Sequence, residues 1–79
     1  MPQYFKVTLN RQKLEAGIIR HNLSHKELAK ELGVSRAYLA SIICGARAPS
    51  GAMRNRFLKY FTEYTFDDLF ILEKNSHGK

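Results

Sequence analysis

The sequence predicts an all-α domain: five short helices in one compact unit, preceded by a short N-terminal arm or strand. Three observations carry this expectation. Apolar residues recur at helical spacing along most of the chain. Ser24, Ser35 and Thr65 stand where helix caps belong, immediately before such stretches. Gly33 and Gly45 stand where periodic stretches stop. The chain has 79 residues, 44% of them hydrophobic, which suits a single folded domain and leaves no room for a deep catalytic cleft.

Residues 1–8 alternate weakly through Tyr4, Phe5 and Val7 and read as either a strand or an extended arm. The first helix is predicted over 10–21, with Leu14, Ile18 and His21 near one face, Ile19 beside them, and Gly17 as an internal weak point. Leu23 connects to Ser24, and Glu27 follows at capping-box spacing, so the second helix has a well-marked start. Leu28, Ala29 and Leu32 face inward from it, and Lys26, Glu27, Lys30 and Glu31 face solvent. Gly33 ends this helix, and Ser35 caps the next only two residues later. Two helices joined by so short a glycine-containing turn cross at about 90 to 120 degrees.

The third helix spans about 36–44 with Leu39, Ile42 and Ile43 inward, and residues 46–51 form a loop after Gly45. The fourth runs from 51 or 52 to 61, burying Met53, Phe57, Tyr60 and Phe61 and carrying Arg54, Arg56 and Lys59 on its other side. A last helix capped by Thr65 holds Phe66, Leu69 and Phe70, with Ile71 and Leu72 alongside and Asp67 and Asp68 in its first turn. The expected organisation is therefore 1–8 as arm or strand, 9–73 as the folded domain and 74–79 as a polar tail.

A net charge of +6 and a pI near 9.8 favour a polyanionic partner such as nucleic acid, although a membrane surface satisfies the same charge. The order of charges says more. Between Glu31 and Glu63 there is no acid, while Arg36, Arg47, Arg54, Arg56 and Lys59 lie there; from Glu63 to Glu73 the chain has acids and no lysine or arginine. One basic block and one acidic block suggest a working surface and a far end. Cys44 is the only cysteine, so no internal disulfide is possible and a cytoplasmic protein is expected. No stretch approaches a signal peptide or the roughly 20 apolar residues of a membrane span. His21, His25 and His77 have no nucleophile, carboxylate pair or metal-ligand partners beside them, so neither enzyme chemistry nor a metal or cofactor is expected.

Residues 24–49 resemble the helix-turn-helix of the phage-repressor type, the Cro and cI family of DNA-binding domains. The likeness is carried by Leu23-Ser24-His25-Lys26-Glu27-Leu28-Ala29, the turn Leu32-Gly33-Val34-Ser35, the inward pair Leu39 and Ile42, and Gly45 followed by Arg47 and Pro49. Phe66-Asp67-Asp68-Leu69-Phe70 resembles the family's last helix. The resemblance implies a lambda-repressor-like fold that binds double-stranded DNA, with the helix after Gly33 in the major groove and base reading by Ser35, Arg36, Ala37, Tyr38 and Ser41. Arg36 is the strongest reader, because a guanidinium makes two parallel bonds to guanine. A phosphate contact or a solvated surface charge is its plainer alternative. His25 and Arg47 match regions that approach the DNA backbone, an exposed helix-start residue being the plainer reading of His25, and Lys26, Arg54, Arg56 and Lys59 join them only because the region lacks acids.

Two departures stand out. Many repressors of this type place a charged pair between helix one and the end of the recognition helix, where Ile18 and Ile43 stand here; an apolar pair avoids the desolvation cost of an ion pair. The aromatic N-terminal segment lies outside the repressor pattern and reads as an arm, a packing strap across helix one or five, or part of a dimer contact. Cys44 reads as a small, partly buried hydrophobe. Phe66, Phe70, Ile71 and Leu72 are more apolar surface than one short helix buries, which suggests a homodimer through the C-terminal region. The expected activity is transcriptional regulation, most simply repression. The alternative is a small helical protein-interaction module, such as an antitoxin or an accessory factor in recombination.

Overall fold

The computed structural model describes residues 4–75. Along them the chain forms β1 (Tyr4–Leu9), α1 (Arg11–Arg20), α2 (His25–Leu32), α3 (Arg36–Ile43), α4 (Gly51–Tyr60), α5 (Phe66–Leu69) and β2 (Phe70–Asn75). The expectations for residues 1–3 and 76–79 lie outside the described residues.

Each helix starts where a short polar side chain replaces the missing intrahelical partner. The side chains of Asn10, Ser24, Ser35 and Ser50 accept from the backbone N–H three residues on, at the heads of α1 to α4. At α2 the bond is reciprocal: Glu27 accepts from the Ser24 N–H at 2.8 Å while the Ser24 hydroxyl accepts from the Glu27 N–H at 3.1 Å. That backbone bond, then the Ser24 hydroxyl, holds the Glu27 carboxyl below its usual range. At α5 the Asp68 carboxylate accepts from the Thr65 N–H and hydroxyl, which lower it in the same way.

All five helices feed one core. Leu14 and Ile18 of α1 meet Leu28, Ala29 and Leu32 of α2, Leu39, Ile42 and Ile43 of α3, and Met53 and Phe57 of α4, with Phe61, Leu69 and Phe70 closing it. Phe57 and Phe61 are fully buried. Truncating such a ring costs about 3–5 kcal/mol, a large share of the roughly 4–12 kcal/mol that a domain of this length holds. Ile18 and Ile43 are both in this core, so the expected apolar replacement of a charged pair stands inside it.

Four features depart from the sequence reading. The last helix ends at Leu69, and Phe70, Ile71 and Leu72 belong to a strand. An apolar run of this length suits either element, and antiparallel pairing with β1, in the register Val7 opposite Leu72 and Leu9 opposite Phe70, selects the strand. The pairing extends to Asn75, two residues into the segment read as a tail. Gly17 is a packing glycine rather than a weak point: a Cβ there would stand 3.1 Å from the rings of Phe61 and Tyr64. His21 caps α1 half-buried, its Nε2 3.0 Å from the Glu63 carboxylate and its ring edge-on to Phe61. Finally, Cys44 is exposed: it stands one residue past the end of α3, its thiol donating back to the Ser41 carbonyl at 3.5 Å.

The junction between α2 and α3 is built around Gly33, whose φ is +74°. In this left-handed conformation the Gly33 N–H reaches back to the Lys30 carbonyl and the Val34 N–H to the Ala29 carbonyl. Arg56 of α4 donates to the remaining Leu32 carbonyl at 3.0 Å. A side chain with a Cβ pays for this backbone in strain, so Gly33→Ala is expected to lower unfolding stability by about 1–2 kcal/mol, with Gly33→Asn losing less. Urea unfolding of the two variants checks this, and an unchanged midpoint for Gly33→Ala contradicts it.

Candidate nucleic-acid interface

The side of α3 opposite Leu39, Ile42 and Ile43 is open. Ser35, Arg36, Ala37 and Ala40 are exposed there, followed by Cys44 beyond the helix end. Arg36, Ala40 and Cys44 are spaced four residues apart and so form one stripe. Ala40 and Cys44 are not among the residues that the sequence reading places outward, although the helical spacing from Arg36 is signal enough. Tyr38 and Ser41 are half-buried at the edge of this face.

The two serines are chemically distinct. Ser35 accepts from the Tyr38 N–H at 3.0 Å, which leaves its hydroxyl hydrogen free to donate. Ser41 donates to the Tyr38 carbonyl at 2.6 Å, which leaves it lone pairs only, so toward an outside group it is an acceptor. Arg36 makes no hydrogen bond or ion pair among the described residues, so its guanidinium fork is unengaged. Tyr38 holds its ring under the Arg47 guanidinium, 5.4 Å from carbon to centroid, and the Arg47 N–H is tied to the Ser41 carbonyl at 3.1 Å. The loop after Gly45 is thereby fixed against the end of α3.

The basic residues expected near phosphates divide into two sets. Lys26 and Arg47 are exposed and without a carboxylate partner among the described residues. His25, Arg54 and Arg56 already have local partners. His25 Nε2 lies 3.1 Å from Glu15 of α1, tying the head of α2 to α1. Arg54 donates to the Pro49 carbonyl at 3.1 Å and Arg56 to the Leu32 carbonyl, so each braces a chain reversal with one of its five donors. The sequence held no local sign of these ties, because each depends on a carbonyl or carboxylate brought in by the fold.

The heads of α3 and α4 carry no acid in their first turns. Their exposed N–H groups and positive dipole ends are therefore not neutralised from within. With the acid-free stretch between Glu31 and Glu63, this leaves α3, the loop after it and the start of α4 as a positive surface.

Set beside known proteins, residues 13–69 match the family model described as helix-turn-helix. The chain belongs to the helix-turn-helix family. The helix-turn-helix proper is α2, the Gly33 turn and α3, in the arrangement described above. Two curated relatives carry similar chains. One, an uncharacterised HTH-type transcriptional regulator named YvzC from Bacillus subtilis, is 32% identical over 68 residues, covering 86% of this chain and 87% of that protein. Another, the uncharacterised HTH-type transcriptional regulator MJ0272 from Methanocaldococcus jannaschii, is 40% identical over 53 residues, covering 67% of this chain and 79% of that protein. No solved structure matches. Among the described residues, no helix is long and apolar enough to cross a membrane.

Proposed function

We propose that this helix-turn-helix protein is a transcriptional regulator that binds double-stranded DNA sequence-specifically, places α3 in the major groove and acts by occupying an operator, most simply as a repressor. The observation that carries the reading is the outer face of α3. It is exposed, free of acids and headed by an unengaged Arg36, while the opposite face is sunk in the core. Ser35, Ala37 and Ser41 are short enough to let the helix approach base edges closely, and Ser41 as an acceptor suits an amino group of cytosine or adenine. Arg36 supplies the bidentate contact to guanine. Lys26 and Arg47 hold phosphates, and His25, Arg54 and Arg56 approach the backbone with the donors their local bonds leave free.

Replacing Arg36 by alanine is expected to cost about 1–3 kcal/mol of discrimination at one base position while Arg47→Ala weakens all sequences alike and reduces the salt slope by about one. Binding of both variants to a randomised duplex pool, over a salt series, reads the two effects separately. An Arg36→Ala protein with wild-type sequence preference contradicts the base-reading role. The rival reading, a protein-interaction module centred on residues 63–73, predicts binding that ignores both substitutions.

A homodimer fits the C-terminal region, though by a different element from the one expected. Phe70 is buried and Phe66 is half-buried, so neither ring is left over. What remains outside is β2, paired on one edge only, with Ile71 44% and Leu72 50% exposed. A second copy adding its own β2 to this edge covers both side chains and sets two copies of α3 side by side on half-sites about one duplex turn apart. Sedimentation is expected to show a wild-type dimer and a Leu72→Lys monomer that still binds a single half-site. A wild-type monomer, both free and on DNA, contradicts this assembly.

A further inference from the structure

Beside the far end of α3 lies a groove of about 150 Å³ of whose charged lining the helix-turn-helix reading uses Arg47 alone. Lys6 and Thr8 of β1 and Arg11 at the head of α1 line one side of it, and Cys44 and Arg47 line the other. Three cations from three separate elements thus converge on one space, and no acid lines it. Among the described residues none of the three is in an ion pair: the pairs that form are His21 with Glu63 and His25 with Glu15. Glu73, opposite Lys6 in the strand register, does not come within ion-pair distance of it. Like charges gathered without a counter-ion repel one another, and an anion seated among them relieves that repulsion.

The geometry points to a DNA backbone phosphate as that anion, resting as it does on α3 entering the major groove. Cys44 belongs both to the groove and to the exposed stripe of Arg36 and Ala40. From Arg36 to Cys44 the helical rise is about 12 Å, close to the roughly 12 Å width of the major groove. A helix whose head reads bases therefore delivers its far end to the backbone that borders the groove. The Tyr38 ring holds the Arg47 guanidinium at that end. Lys6, Thr8 and Arg11 then extend the interface from the helix-turn-helix onto the N-terminal strand. The strand becomes a DNA-binding element as well as a lid on the core.

The test compares wild type with the double variant Lys6→Ala/Arg11→Ala, with Lys13→Ala as a charge control, since Lys13 stands beside Asp68 on the acidic side of the domain. Each binds the duplex that wild type selects from a randomised pool, over a salt series from 50 to 200 mM. One lost phosphate contact lowers the salt slope by about 0.9, so across this range the double variant's affinity is expected to fall about 3.5-fold less than that of wild type. Its sequence preference should stay as in wild type and its thermal midpoint should not fall, and Lys13→Ala should keep the wild-type slope. A double variant with the wild-type slope overturns the groove contact while leaving DNA recognition standing, as does an equal change in Lys13→Ala. A wild-type protein that selects no sequence overturns DNA recognition itself. In unmutated protein, saturating duplex is expected to shield Cys44 from iodoacetamide, and alkylation at the free-protein rate overturns the proposal independently of any variant.

Discussion

The position of α3 depends on one constraint, the left-handed backbone at Gly33. Because that residue turns the chain within two positions, the Ser35 cap can open a new helix at once, and Leu39 and Ile42 fall back onto the core that α2 has begun. The ties around the turn make the angle rigid: Val34 to Ala29 along the backbone, and Arg56 of α4 to the last carbonyl of α2. A reading surface on a probe this short is useful only if it is held still, since a contact displaced by a fraction of an ångström loses bidentate geometry. The buried side of α3 supplies that stillness, and the open side is left chemically sparse.

The sparseness has a consequence for recognition. With alanines at 37 and 40 and two serines partly committed to the helix itself, the proposed complex would concentrate direct reading on Arg36. In that complex affinity would come from the backbone contacts around it, which carry position and salt dependence rather than sequence. The distribution of charge agrees. The acidic stretch from Glu63 onward is spent on structure, with Glu63 holding His21 and Asp68 capping α5, while the surface around α3 is left without acids.

The parts of the fold fixed by neighbouring residues were legible in the sequence. Ser24 with Glu27, Gly33 and Ser35 mark boundaries that need only the next three or four residues to act, and they mark them correctly. The parts that depend on distant partners were not. Phe70 to Leu72 is helix or strand by composition alone, and only the opposite end of the chain, pairing as β1, decides it. Gly17 looks like a defect until the rings of Phe61 and Tyr64 are seen to need its missing side chain. Among the basic residues, charge alone could not separate Lys26 and Arg47, which are free to act, from His25, Arg54 and Arg56, which also brace the fold. Lys6 and Arg11 gave no signal, because nothing local shows that a strand and a helix head will converge on the end of α3.

The central claim is that the open face of α3, and not the acidic C-terminal segment, meets the partner. It is tested most directly by following the backbone amide resonances of the protein while a duplex selected from a randomised pool is added. The largest shifts are expected along α3 from Ser35 to Cys44, at the head of α2 and in the loop bearing Arg47. Shifts confined to residues 63–73, with those of α3 unmoved, would contradict the claim.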